Sequence, residues 1–171
     1  MDFIATARRQ MLAGQMGDAR EKLKAAFEGL SDEQMTQPGV CGDWSVRDLL
    51  AHVAAWDRAT AEAFRMMLKG ERPRLLDLED EEIEAFNTEH HAQTLTSSVA
   101  EVGVELDAAR DDMVSVLKDT DNTAMFAPAP GEEHADLSIA SCISVQIAHD
   151  EEHAEMIEEW REQLDTERDR T

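Results

Sequence analysis

The four prolines fall in three places, Pro38, Pro73 and the pair Pro128 and Pro130, and each place also carries a glycine, Gly39, Gly70 or Gly131. Proline cannot continue a helix and glycine favours stopping one, so these places divide the chain into four long stretches. Within each stretch apolar residues recur every three or four positions, the helical period. No run alternates apolar with polar residues as a half-buried strand would. The chain is therefore predicted to be all-α.

The first stretch, about 3–30, carries the stripe Leu12, Met16, Ala19, Leu23, Phe27, Leu30. Gly14 and Gly17 weaken it by roughly 1 kcal/mol each relative to alanine. A second helix is predicted from Ser45 to about Lys69, opened by a capping box in which the Ser45 hydroxyl and the Asp48 carboxylate serve each other's backbone N–H. Its face carries Val46, Leu49, Val53, Trp56, Phe64 and Met67. A charged connection follows Gly70, with a short helical piece over about 79–91 anchored by Ile83 and Phe86. Ser98 and Glu101 form another capping box, and the third long helix carries Val99, Val102, Leu106, Ala109, Met113 and Leu117. The stretch 121–136 reads as a loop, and the fourth long helix runs over about 137–164.

Helices of this length are each ~30 Å long, and a single apolar stripe on each is buried only against the others. The predicted architecture is a four-helix bundle with a long crossover connection containing a short extra helix. Its second and fourth long helices are expected to face each other antiparallel. At 171 residues the chain suits one domain. Residues 1–166 are assigned to it and 167–171 to a frayed charged tail.

The chain has 38 acidic against 16 basic residues, a formal net charge of -22. That field repels phosphate backbones and anionic lipid surfaces, and there is no basic stripe to release counterions, so neither nucleic acid nor membrane is expected as a partner. No signal-peptide order of charge, apolar run and small residues begins the sequence, and no window is apolar enough to span a bilayer. Cys41 and Cys142 fit no CxxC pattern, which points to free thiols in a reducing cytoplasm.

The last helix holds the feature that points to chemistry. At 100° per residue, Ile143, Ile157, Trp160 and Leu164 mark its apolar side, and Gln146, His149, Asp150 and His153 fall on the same side. Burying one unpartnered polar group costs roughly 1–3 kcal/mol, so a band of them calls for a common partner such as a metal, water or a ligand. His149 and His153 are one turn apart, a spacing from which both imidazoles reach one ion. In the second long helix His52 stands at the margin of the apolar face. Three inward imidazoles would suit Zn, Ni, Fe or Mn with open positions for water or substrate. Asp150 or Gln146 is expected to orient a ligand from behind, with Trp56, Met156 and Trp160 flanking the site. A lone inward histidine is more often a hydrogen-bonded core residue. The three make a site only if the two helices are neighbours, which spacing leaves open.

Other candidates carry less. HDEEH matches an inverted zinc-protease pattern, but such a match arises readily in a glutamate-rich chain. A ferritin-like site needs two Glu-x-x-His units, and none is present. His90 and His91 are adjacent and point about 100° apart. His134 lies in an acidic loop. Cys142 reads as an inert core thiol and Cys41 as a loop residue.

The segment LSDEQMTQPGVCGDWSVRDLLAHVAAWDR resembles the DinB family, whose Gly-x-Trp-Ser/Thr turn leads into a helix bearing a histidine and whose last helix bears His-x-x-x-His. Gly42, Trp44, Ser45 and His52 match the first element, and His149 and His153 the second. The resemblance implies a four-helix bundle with a divalent metal on His52, His149 and His153. It further implies chemistry with low-molecular-weight thiols such as mycothiol or bacillithiol, as in thiol-dependent S-transferases and maleylpyruvate isomerase. The stretch EAFNTEHH is similar to the isomerase branch. Family bundles pair through helix faces, so a homodimer is expected. Two function classes follow: a metal- and thiol-dependent transferase or isomerase acting on a small molecule, or a non-catalytic small-molecule-binding or stress and detoxification bundle with a structural metal or none.

Overall fold

A computed structural model describes residues 3–133 and 136–168. Four long helices carry the fold: α1 (Phe3–Phe27), α3 (Val46–Leu68), α5 (Val99–Asp119) and α7 (Ile139–Arg168). Between them lie α2 (Asp32–Met35), a hairpin of β1 (Pro38–Cys41) and β2 (Trp44–Ser45), a 3-10 turn (Arg74–Asp77), α4 (Asp80–Thr94) and α6 (Asn122–Phe126). The all-α bundle and its crossover are as the apolar spacing predicts.

The bundle is built from two closely packed pairs, α1 with α7 and α3 with α5. Both pairs are parallel. Lys22 pairs with Glu155, and further along both helices Arg161 donates to the Ala26 carbonyl. Likewise Arg47 reaches the Ser97 carbonyl and Arg65 reaches Asp112. The expectation of an antiparallel bundle therefore fails within these two pairs and holds across them: α3 runs antiparallel to α7, where His52 meets His149 and Thr60 meets Gln146, and α1 runs antiparallel to α5, where Arg9 reaches the Leu117 carbonyl and Lys24 pairs with Asp107. The reason lies in the crossover. Two parallel neighbours need a connection that returns along the bundle, and the segment between Leu68 and Val99, with α4 inside it, makes that return.

Among the described residues, four short elements lie beyond those the apolar spacing predicts, the 3-10 turn among them. α2 has its own capping box between Ser31 and Gln34. The β1–β2 hairpin turns at Gly42, whose φ of 58° suits the left-handed first position of a tight two-residue turn. Strands this short show no alternation. α6, capped by Asp121, lies within the stretch read as a loop. α7 continues to Arg168 rather than ending near Leu164, and 169–171 lie outside the described residues.

The core has two halves. One, around Leu23, Leu49, Val53, Leu106 and Ile157, lies toward the hairpin end. The other gathers Leu12, Met16, Phe64, Met113 and Ile143 toward the opposite end. A charged layer separates them, with one residue from each long helix: Arg20, Asp57, Arg110 and Asp150, of which both aspartates are 0% exposed.

Candidate metal centre

The hairpin and the α3 cap position His52. Ser45 Oγ accepts from the Asp48 N–H, while the Asp48 carboxylate accepts from the Ser45 N–H at 3.0 Å and from its hydroxyl at 2.6 Å. This box fixes the first turn of α3, from which His52 projects two turns later. Trp44, immediately before the cap, packs edge-on to the His52 ring with centroids 5.4 Å apart, and on its other contact stacks with His91 at 4.9 Å. Gly39, at φ 118°, gives the hairpin backbone a conformation that other residues rarely adopt as it passes Trp160. Trp160 is thus core beneath the hairpin, and it does not line the cavity beside the histidines as expected.

α7 supplies the other two rings. His149 Nε2 lies 3.0 Å from His52 Nε2 and 2.9 Å from His153 Nε2. One ligand atom from each of the three histidines lies within 4.8 Å of the others, a grouping that could hold a metal ion. His153 is buried and the other two are half-buried. Burial is the leading cause that pushes all three imidazoles down, His52 to about 4 and His149 and His153 to about 3; the crowding of the rings adds to it, as do the Arg20 and Arg110 charges for His149. All three are therefore neutral near pH 7.

Neutral rings at these distances do not satisfy one another. His149 Nε2 has one lone pair or one hydrogen, yet it faces two other Nε2 atoms. If the neighbours both donate, they compete for that lone pair. If His149 Nε2–H donates, one hydrogen is shared between two acceptors. If all three Nε2 atoms are unprotonated, three lone pairs converge with nothing between them. A cation accepting all three lone pairs serves each ring fully, and three neutral imidazoles form a donor set suited to zinc and its first-row neighbours. His149 Nδ1 is also buried without a hydrogen-bond partner among the described residues.

The residues expected to orient these rings are engaged elsewhere. Asp150 accepts from Arg20 Nε and Nη2, each at 3.0 Å, and from Arg110 Nη2 at 2.9 Å. Gln146 Nε2 donates to Thr60 Oγ1 at 2.8 Å. Facing charges and a facing hydroxyl on other helices outcompete the adjacent turn. Met156 does flank the site, its sulfur 3.4 Å from His153 Nδ1. Trp56 lines a cavity of about 330 Å³ together with His52, His149, Ile83 and Asn87.

α4 forms one wall of this cavity. Phe86 packs on Trp56 with centroids 4.5 Å apart, and Trp56 Nε1 donates to Asn87 Oδ1 at 2.9 Å. Ile83 and Phe86 are thus the anchors the sequence suggests, whereas Asn87 was not singled out. Its signal was its place four residues after Ile83, on the same face of α4. His90 Nδ1 contacts the Phe86 carbonyl at 2.9 Å and His91 stacks on Trp44; both are half-buried beside the triad without joining it. Cys41 is exposed, and Cys142 is half-buried with its thiol pushed up by burial. His134 lies outside the described residues.

No helix among the described residues is long and apolar enough to cross a membrane. Among curated proteins, none matches the sequence. Two solved structures share the fold. The protein titled Sibling Lethal Factor Precursor, DfsB, superposes with a TM-score of 0.77 at 15% identity, covering 91% of this chain and 96% of its own. An uncharacterised protein from Escherichia coli UTI89 gives 0.75 at 13% identity, covering 92% and 94%. At those identities the likeness is one of fold. The family model of the DinB superfamily matches residues 15–157, a span that includes the α3 turn and all three histidines, and the chain belongs to that superfamily.

Proposed function

We propose that the protein binds one divalent transition metal on His52, His149 and His153 and uses it to activate a low-molecular-weight thiol for S-transfer to, or isomerisation of, a small molecule. The observation that carries this reading is the convergence of three neutral imidazole nitrogens in a half-buried cluster beside a cavity. A metal bound there supplies Lewis acidity that makes a nucleophile of a thiol or water at neutral pH. The chain's own residues do the rest. Trp56 and Ile83 give the adjoining space apolar walls, and Asn87 offers a polar group among them. The free cysteines are in keeping with a reducing cytoplasm. The same reading includes a homodimer, since the α1 surface leaves Phe3 and Met11 exposed.

The test is metal analysis of untagged protein followed by a thiol-conjugation screen with mycothiol and bacillithiol. His153→Ala is expected to abolish metal retention and any thiol-dependent turnover while the bundle stays folded, because one ligand contributes more to the site than to the core. Full activity in that variant would remove the mechanism. The alternative, a non-catalytic binding bundle, would then be preferred, with the polar band held by water.

A further inference from the structure

The cavity beside the histidines does not end at Gln146. A second cavity of about 320 Å³ lies further along the α3–α7 seam, between the 3-10 turn and the start of α7, with Leu75, Leu76 and Cys142 in its wall. Trp56, Val145 and Gln146 line both chambers, so the two share a neck. Along α7, His149, Gln146 and Cys142 stand on successive turns. The seven residues from His149 to Cys142 correspond to ~10 Å at 1.5 Å per residue.

The two chambers differ in chemistry. The first holds His52, His149 and Asn87. The second has an apolar wall of Leu75, Leu76, Leu137 and the half-buried Cys142, with the Thr60 and Ser141 hydroxyls and the exposed Asp136 as its polar groups besides Gln146. A carboxylate there, in a chain of net charge -22, disfavours an anionic tail. At the neck Gln146 is 5% exposed. Its Nε2 is taken by Thr60, while its Oε1 has no hydrogen-bond partner among the described residues. A buried acceptor left unpaired is costly, and a ligand N–H or O–H passing the neck would relieve it.

We propose that the second chamber is the subsite for the uncharged, apolar tail of an elongated ligand whose head lies at the histidines and whose middle offers a hydrogen-bond donor to Gln146. The identity of the head rests on the metal reading above. The tail subsite stands on the cavity alone.

The experiment uses the full chain carrying Cys41→Ser, which leaves Cys142 as the only thiol. In its first arm, zinc-loaded protein is titrated with ethane-, butane-, hexane- and octanethiol, whose sulfur suits zinc. Affinity is expected to rise up to about fourfold per added methylene until the chamber fills. Leu76→Trp should flatten that series and leave ethanethiol and zinc affinity unchanged. In the second arm, metal-free protein is treated with iodoacetamide in the presence of hexanol or octanol, which carry no metal-binding sulfur. Longer alkanols should slow alkylation of Cys142 more than ethanol does.

The arms separate the two ideas. Chain-length-dependent protection of Cys142 in a protein that takes up no zinc would support the subsite and overturn the metal reading. Zinc and ethanethiol binding without any gain from longer chains, and without protection of Cys142, would overturn the subsite alone.

Discussion

Arg20, Asp57, Arg110 and Asp150 meet at the midpoint of the bundle, one from each long helix. Arg110 forks onto Asp57 through Nε and Nη2, each at 3.0 Å, and its Nη2 also reaches Asp150. Arg20 forks onto Asp150 and reaches Asp57 at 2.8 Å. The charges cancel, and the geometry fixes the rotation of α7 so that His149 and His153 face α3. Removing one member leaves buried charge uncompensated, which costs about 3–5 kcal/mol. Arg110→Met is therefore expected to lower unfolding free energy by that amount in urea denaturation; a loss below 1 kcal/mol, the surface-pair range, would contradict it. This layer was legible in principle, because Arg20 lies four residues after Met16 and three before Leu23, and Arg110 four after Leu106 and three before Met113. A lone charged residue in an apolar stripe usually marks the solvent margin. Only the meeting of four helices shows that each charge has a buried partner. His52 was read from spacing because an imidazole at a stripe's margin fits inside without a counter-charge.

At the scale of elements, the α3 cap is the link between sequence motif and site. Ser45→Ala should cost roughly 0.5–2 kcal/mol by thermal or chemical denaturation. The cap also sets a pH dependence. Burial pushes the Asp48 carboxyl up, but its bonds with the Ser45 hydroxyl and amide and the Arg47 guanidinium pull harder and hold it below the ordinary value. A carboxyl with a depressed folded pKa contributes stability above the unfolded pKa, about 3.9 for aspartate. That contribution is lost as pH falls through the lower folded pKa. Asp48→Asn should therefore reduce the drop in melting temperature on acidification below about pH 4; an unchanged acid limb would contradict the role given to Asp48. Caps and long helices were readable because each depends on residues within four positions. The hairpin, α2 and α6 were not. α2, α6 and each strand of the hairpin span at most five residues, too few for a periodic pattern, and each is held against its surroundings by the finished bundle.

For the whole molecule, topology explains why distant segments make one site. Parallel α3 and α5 require the crossover, and the crossover lays α4 over the α3–α7 seam where the histidines meet. Spacing alone indicated which faces are apolar, but it could not show which helices are neighbours or that two of the close pairs run parallel. The proposed dimer belongs to this scale too. A net charge of -22 per chain opposes pairing at long range, and salt screens that repulsion. Sedimentation is expected to show a dimer that strengthens with salt; a monomer at low and high salt alike would contradict it. The central claim is that three imidazoles hold one metal. Calorimetric titration of untagged, metal-stripped protein with zinc should give one ion per chain and, at a hundredfold excess over Kd, about 2.7 kcal/mol of added stability. His153→Ala should lose both while remaining helical. No uptake of zinc, nickel or manganese by the wild type, or undiminished zinc affinity in His153→Ala, would contradict the account.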